Sequence, residues 1–213
     1  MPSLSLNSHE ARVLGVLIEK AYTVPDQYPM TLNSATLGSN QKNNRWPVTD
    51  YSSAEVHVAL QGLVMKHLAG RVNEGGQRVE KYRHNAREVF EVDDGALAVL
   101  AELLMRGPQQ PGELRTRAER MVALPTLEKL QEKLVRLMEK GYVKRLDPLP
   151  GERAERYAQT LCPDAHPLDV AGPVASKPAA TPRADLEARV LTLENQMKEL
   201  RERFDALARQ LGG

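Results

Sequence analysis

The stretch GGQRVEKYRHN spans residues 75–85, and the closely similar PGERAERYAQT spans residues 150–160. Within this alignment Tyr82 corresponds to Tyr157, and a basic residue precedes each tyrosine. Each stretch closes a series of three helical segments followed by two short strands. A repeat of this length with its own apolar residues indicates two duplicated domains rather than a solenoid.

The elements of the first repeat follow from apolar spacing and helix caps. Asn7 with Glu10, and Ser52 with Glu55, have the composition of capping boxes, in which each side chain bonds the other residue's backbone N–H at a helix start. Apolar residues at helical spacing follow both boxes. A glycine-rich turn between two short segments then predicts a β-hairpin. The predicted elements are helices at 8–21, 31–41 and from 53 onward, and strands at 68–72 and 78–83.

The second repeat shows the same order. Its apolar periodicity predicts helices at 95–107, 111–121 and 125–141, followed by a hairpin within 142–161. Three helices and a hairpin are the order of a winged helix. We therefore expect a mainly α-helical protein with small β-hairpins (α+β), built as two tandem winged-helix domains. Aromatic residues make up 4% of the chain, so each domain is expected to bury its own aliphatic interior.

The remainder of the chain differs in composition. Residues 163–183 are rich in Pro and Ala, without helical or strand periodicity, which is typical of a flexible linker. Residues 184–213 are expected to form one helix. The predicted domains are thus a first winged helix at 1–90, a second at 91–162, the linker at 163–183 and a C-terminal helix at 184–213.

The C-terminal helix carries the a/d heptad pattern of a coiled coil. An isolated helix of this length would be marginally stable and would expose its apolar stripe to water. We therefore expect self-association as a homodimer, with parallel and antiparallel pairing both open. The alternative is that the helix packs back on its own chain. The heptad residues are Leu186, Val190, Leu193, Met197, Leu200, Phe204, Leu207 and Leu211.

The composition limits the possible functions. Lys and Arg number 29 and Asp and Glu number 28, so no long-range field draws the chain to nucleic acid or to an anionic membrane. The single Cys162 cannot form an intrachain disulfide or a multi-cysteine metal site. No signal peptide is recognisable, and no apolar stretch reaches the about 18 residues that a membrane helix needs. We expect a cytoplasmic protein without membrane contact.

Motifs of catalysis are absent from the sequence. The five histidines lack metal-ligand spacing, and the chain contains no Walker loop, GxGxxG or nucleophile elbow. The expectation is a protein that is not an enzyme and that uses no catalytic residue, metal or cofactor. The sequence also indicates no small-molecule ligand.

Residues 28–52, YPMTLNSATLGSNQKNNRWPVTDYS, resemble the signature block of the YceH-like family of uncharacterised bacterial proteins. The likeness covers roughly residues 4–162. It implies a tandem winged-helix fold and a cytosolic bacterial setting, but brings no established reaction, ligand or DNA site. The family's block usually has an Ala-Cys pair where this sequence has Gly38 and Ser39, so no thiol chemistry is implied there.

Basic residues on the hairpins and in the amide-rich loop at 41–45 are suited to phosphate contacts. Winged helices commonly place the third helix in the major groove and the hairpin against the DNA backbone. The alternative for the loop is that its amides cap helices and turns. The candidate DNA-binding residues are Lys42, Arg45, Arg71, Arg78, Lys81, Arg83, Arg115, Arg117, Lys144, Arg145, Arg153 and Arg156.

Two functions remain open from the sequence. The fold with its basic hairpins predicts binding to double-stranded DNA, with a transcriptional regulator as the specific form. The near-zero net charge instead suits a protein–protein interaction scaffold that uses the repeats without nucleic acid. In the second repeat, glutamates interleave with the third-helix lysines, which favours a solvated surface over a DNA-reading one.

Overall fold

The computed structural model describes residues 4–72, 79–150, 154–166 and 168. The predicted heptad helix and most of the predicted linker lie outside these residues. The same holds for Arg78 and Arg153, two of the candidate DNA-binding residues. Their assignments therefore stay predictions.

The described part is an α+β structure of helices with small antiparallel sheets, as expected from the sequence. In each half, three helices precede a hairpin. The first half has α1 (Ser8–Thr23), β1 (Met30–Thr31), α2 (Leu32–Ser39), α3 (Ser53–Met65), β2 (Ala69–Val72), β3 (Lys81–His84) and α4 (Ala86–Phe90). The second half has α5 (Asp94–Arg106), α6 (Pro111–Ala118), α7 (Leu127–Glu139), β4 (Val143–Leu146) and β5 (Arg156–Gln159).

Both predicted capping boxes are present. The Glu10 N–H donates to the Asn7 side chain at 2.9 Å, and the Asn7 N–H donates to the Glu10 carboxylate at 2.9 Å. Ser52 and Glu55 make the same reciprocal pair at the start of α3. These caps satisfy N–H groups that lack a partner within the helix, and they fix where α1 and α3 begin.

The tyrosines that align in the two repeats occupy matching positions in the sheets. In the first half, β3 lies between β1 and β2, and Met30 of β1 pairs with Tyr82. In the second half, β4 pairs with β5, and Gln109 forms an isolated bridge with Tyr157. Both tyrosines are buried. Elements as short as β1 and α4 show no periodicity, which is why the sequence did not predict them.

The expectation of two separate aliphatic interiors is wrong. The buried side chains of both halves form one continuous cluster, and the described residues belong to one compact unit. Residues 10–19 of α1 and 95–105 of α5 are buried on every side of their helices. Each of these helices packs on its own half and also on the other helix, as expected for helices that are apolar all round. The predicted boundary at residue 90 stays a prediction.

The contact between α1 and α5 depends on a small residue. A Cβ atom at Gly15 would lie 2.6 Å from Cγ of Met105 and 3.3 Å from the Ala101 carbonyl oxygen. Because these distances are shorter than ordinary contacts, the two helices could not pack this closely around a larger side chain.

Candidate functional site

The exposed side of α3 combines two large apolar side chains with one acid, Glu55, and carries no Lys or Arg. Val58 is 68% exposed and Met65 is 78% exposed, while the sequence of α3 contains no Lys or Arg. His57 and Gln61 flank these residues at a distance of 3.4 Å from each other. Lys66, directly after the helix, forms an ion pair with the buried Glu10. The third helix of the first half therefore offers apolar side chains rather than cations.

The third helix of the second half, α7, presents acids together with bases. The Lys129 ammonium lies 2.9 Å from Glu132, and the Lys133 ammonium lies 2.9 Å from Asp93. These pairs neutralise two lysines at the helix surface. The exposed residues of α7 are Leu127, Glu128, Lys129, Gln131, Glu132, Val135, Arg136 and Glu139.

On each hairpin a candidate arginine pairs with an acid of the same hairpin. Arg71 lies 3.4 Å from Glu80 in the first hairpin, and Arg145 lies 3.1 Å from Glu155 in the second. Each pair reduces the positive charge that the hairpin presents to a phosphate. Lys81 is half-buried on β3. Among the described residues, the exposed candidates that remain are Lys42, Arg83 and Lys144.

Two candidate arginines are buried in the interior. Arg45 is 3% exposed, and its Nε donates to the Gly38 carbonyl at 3.0 Å. Arg156 is also buried, and its Nη2 donates to the Leu168 carbonyl at 2.8 Å. A phosphate cannot reach either guanidinium in this conformation. The structure therefore removes both residues from the candidate DNA surface, because their hydrogen bonds are used inside the protein.

The two candidate arginines on α6 also make hydrogen bonds within the protein. Arg115 donates to the Leu124 carbonyl at 3.0 Å, and Arg117 donates to the Gln109 side chain at 2.7 Å. Both bonds fix loops next to α6. These arginines are partly buried and act first on the structure of their own half.

Two buried carboxylates, which sequence reasoning missed, lie where the halves meet. Glu19 of α1 pairs with Arg45, and Glu102 of α5 lies 2.8 Å from Nε of Arg106. Arg120 pairs with Glu19 and lies 3.0 Å from Glu102. We call these five residues the junction cluster. Charged residues within helices that are otherwise apolar all round are the signal that could have indicated it.

Electrostatics in the junction cluster favour the ionised form of Glu19. Burial alone would raise the pKa of Glu19, but hydrogen bonds and charge from Arg45 and Arg120 outweigh burial and lower that pKa below its usual value. Burial lowers the pKa of Arg106, and Glu102 opposes this effect. Each buried charge thus has a partner of opposite sign, as buried charges require.

The loop between α2 and α3 closes the junction. The Trp46 N–H donates to the Met105 carbonyl at 3.0 Å, and the Trp46 ring stacks on His166 with centroids 5.9 Å apart. His166 is 5% exposed; burial, and then the charge of Arg12, lower its pKa to about 4. Asn44 accepts a hydrogen bond from Arg106. Trp46 therefore fixes the loop to its own chain. This supports the alternative that the loop serves the protein's own structure rather than a DNA contact.

Arg12 and Asn40 hold the same loop from inside. Arg12 Nη2 donates to the Pro47 carbonyl at 2.7 Å, and burial lowers the pKa of Arg12 to about 10. The side chain of Asn40 donates to the Tyr51 carbonyl at 2.8 Å and accepts from the Tyr51 N–H at 2.8 Å. The amide-rich block thus satisfies backbone groups of the loop itself.

Within residues 4–72, 79–150, 154–166 and 168, no cluster of three or more His, Cys, Asp or Glu could hold a metal ion. In the same part of the chain, no helix combines the length and apolarity needed to span a bilayer.

Residues 6–152 match the family model DUF480, described as a protein of unknown function. The chain belongs to this family. It is 39% identical to a UPF0502 protein of Shewanella sp. (strain MR-4) over 221 residues, covering 98% of this chain and 100% of the relative. Identity to a UPF0502 protein of Geotalea daltonii is 51% over 158 residues, covering 73% and 72%.

A UPF0502 protein of Mesorhizobium japonicum is 42% identical over 205 residues, covering 95% of this chain and 96% of the relative. YceH-like proteins are the UPF0502 family, so these relatives confirm the resemblance seen in residues 28–52. The names of these relatives describe no activity.

Proposed function

We propose that this chain is a tandem winged-helix scaffold that binds a partner protein through the exposed face of α3. The main support for this proposal is that α3 exposes Val58 and Met65 and contains no Lys or Arg. The occupant that fits this face is an amphipathic helix of another protein, laid with its apolar side on α3.

The winged-helix assignment is supported by the order of elements. Three helices followed by an antiparallel hairpin occur twice. In each half a further stretch of chain pairs with the second strand of the hairpin. This stretch is β1 in the first half and the isolated bridge residue Gln109 in the second. The duplication in sequence and this duplication in structure agree.

Side-chain chemistry favours a protein over DNA at α3. Helices that read DNA offer Arg, Lys, Asn or Gln to base edges. The centres of protein interfaces are instead depleted in charge and enriched in Met and aromatic residues. Val58 and Met65 are seven positions apart, which places them on the same side two turns from each other, and Ala54 continues this stripe one turn earlier. This spacing matches the helix-in-groove mode of recognition.

DNA binding, with a transcriptional regulator as its specific form, is the second candidate. Arg83 on β3 and Lys144 on β4 favour it, because both are exposed on hairpins where a winged helix meets the DNA backbone. The heptad pattern supports a homodimer that would present these surfaces twice. Under both proposals the protein is cytoplasmic and is not an enzyme.

The test compares two charge-adding variants in affinity capture from nuclease-treated lysate. The first carries Val58→Glu and Met65→Glu on α3. The matched control carries Val48→Glu and Val135→Glu, which add equal charge at exposed valines outside α3. Wild type and control should retain one protein at stoichiometric amount, and the α3 variant should lose it. Retention by the α3 variant, or the absence of a stoichiometric partner in wild type, would contradict the proposal.

Fluorescence anisotropy with duplex DNA decides the second candidate. DNA binding predicts an affinity that falls with salt on a log–log slope of several units. Arg83→Glu with Lys144→Glu should then reduce that slope, while the Val58 and Met65 variant keeps it. A flat salt dependence would remove DNA binding.

A further inference from the structure

A groove runs beside the C-terminal half of α1, next to β1 and α2. Its lining combines apolar side chains, of which Leu37 is exposed, with one cation, Lys20. Leu37 is 65% exposed, so a large apolar side chain of α2 meets water in this groove. The lining residues are Lys20, Val24, Gln27, Met30, Ser34, Leu37, Gly38 and Gln41.

The apolar and charged parts of the groove meet at Gly38. A Cβ atom built there would lie 2.7 Å from Cγ1 of Val16, 3.6 Å from the terminal methyl of Met30 and 3.9 Å from Cε of Lys20. The missing side chain at Gly38 therefore leaves the ends of Met30 and Lys20 near each other. Apolar lining and the ammonium-bearing chain of Lys20 thus lie side by side in the groove.

Lys20 adds positive charge that the nearby carboxylate does not fully balance. Its ammonium lies 3.7 Å from Glu19, beyond hydrogen-bond distance, and 3.3 Å from the Gln41 side-chain oxygen. The Glu19 carboxylate already accepts from Arg45 and Arg120. The charge of Lys20 is therefore available to attract a second anion.

The rest of the junction cluster strengthens this attraction. Arg106 and Arg120 share the second buried carboxylate, Glu102. Lys20, Arg45, Arg106 and Arg120 together thus face two carboxylates, Glu19 and Glu102. This excess of cations over carboxylates favours an anion at the Lys20 end of the groove.

We propose that the groove binds a small organic anion, an apolar molecule that carries one carboxylate. The carboxylate accepts charge-assisted hydrogen bonds from the Lys20 ammonium and from the Gln41 side-chain amide. The apolar part covers the exposed Leu37 and removes it from water, and it packs against Val24 in the groove wall. An inorganic anion would leave Leu37 exposed, and a neutral apolar molecule would not use the charge of Lys20.

The test uses octanoate and octanamide as matched probes, titrated calorimetrically into the full chain. Octanoate should bind at least tenfold more tightly than octanamide. Lys20→Met should reduce octanoate affinity about tenfold and leave octanamide affinity unchanged. Leu37→Ser should weaken both probes. The control, Lys42→Met, removes an exposed lysine outside the groove lining and should change neither affinity.

Nuclear magnetic resonance of the wild-type chain provides a readout that needs no variant. Octanoate should shift the backbone amides of residues 34–41 and the methyl groups of Leu37. Equal affinity for the two probes, unchanged octanoate affinity in a folded Lys20→Met variant, shifts centred elsewhere, or no binding at millimolar concentration would each overturn the proposal. None of these results bears on the α3 face, so the two proposals succeed or fail separately.

Discussion

Arg120, which follows α6, donates a hydrogen bond to Glu19 of α1 across 101 positions of the sequence. The same guanidinium lies 3.0 Å from Glu102 of α5. One side chain therefore joins the first helices of the two halves where they pack together. The halves share their apolar core and their buried charges, and we expect them to unfold in a single cooperative transition.

Replacing Glu19 by Gln should be strongly destabilising. The variant keeps the shape of the side chain but leaves the buried Arg45 without its carboxylate partner. Breaking a buried ion pair on one side costs about 3–5 kcal/mol. Urea unfolding of the full chain measures the loss. Glu139→Gln, at an exposed position of α7, should stay within about 0.5 kcal/mol of wild type. A loss at Glu19 no larger than at Glu139 would show that the pair is not needed.

Stability should fall between pH 6.5 and about 4 because of His166. Burial holds the pKa of this imidazole at about 4 in the folded state, against 6.5 for the ordinary group. In this interval the unfolded chain binds more protons than the folded chain, so lowering the pH favours unfolding. Below the folded pKa the effect levels off. The contribution is about 3 kcal/mol at full extent, from 1.36 kcal/mol per pH unit.

Urea unfolding at several pH values tests this prediction through the fluorescence of Trp46, which stacks on His166. The His166→Leu variant has no group to protonate, so its stability should lose this component between pH 6.5 and 4. Parallel pH profiles for wild type and variant would contradict the assignment.

Much of the fold could be predicted because its signals are local. The capping boxes at Asn7 and Ser52 and the apolar spacing after them fix α1 and α3 within a few residues. The shared core could also have been predicted from the sequence. Residues 95–105 of α5 are apolar on nearly every side, a pattern that predicts a helix covered all round rather than one with a solvated face.

The candidate site was harder to predict from the sequence, because its residues bind partners that lie far away along the chain. Arg45 reads as a basic loop residue suited to phosphate, yet it pairs with Glu19, 26 positions away. No periodicity relates the two. The groove beside Lys20 likewise depends on how α1, β1 and α2 come together, and spacing along the chain does not show that arrangement.

Gly15→Ala should destabilise the protein although alanine favours helices. The added methyl would lie 2.6 Å from Cγ of Met105, within the tightest contact between α1 and α5. Overpacking of this kind costs about 1–3 kcal/mol. The matched control is Gly112→Ala in α6, where a Cβ meets nothing within 4 Å. This control should gain up to about 1 kcal/mol from helix propensity. Thermal or urea unfolding should therefore give shifts of opposite sign, and equal shifts would show that the helices relax around the methyl.

A second contact between the halves can be measured as a coupling energy. The Tyr22 hydroxyl donates to the Asp94 carboxylate at 2.9 Å, and burial together with this acid raises the pKa of Tyr22. A double-mutant cycle with Tyr22→Phe and Asp94→Asn isolates the pair. Because Asp94 is partly exposed and also pairs with Arg87, we expect a coupling of about 1 kcal/mol, smaller than the loss at Glu19. Strictly additive effects of the two substitutions would mean that this hydrogen bond does not couple the halves, which would leave the shared core and the junction cluster to hold them together.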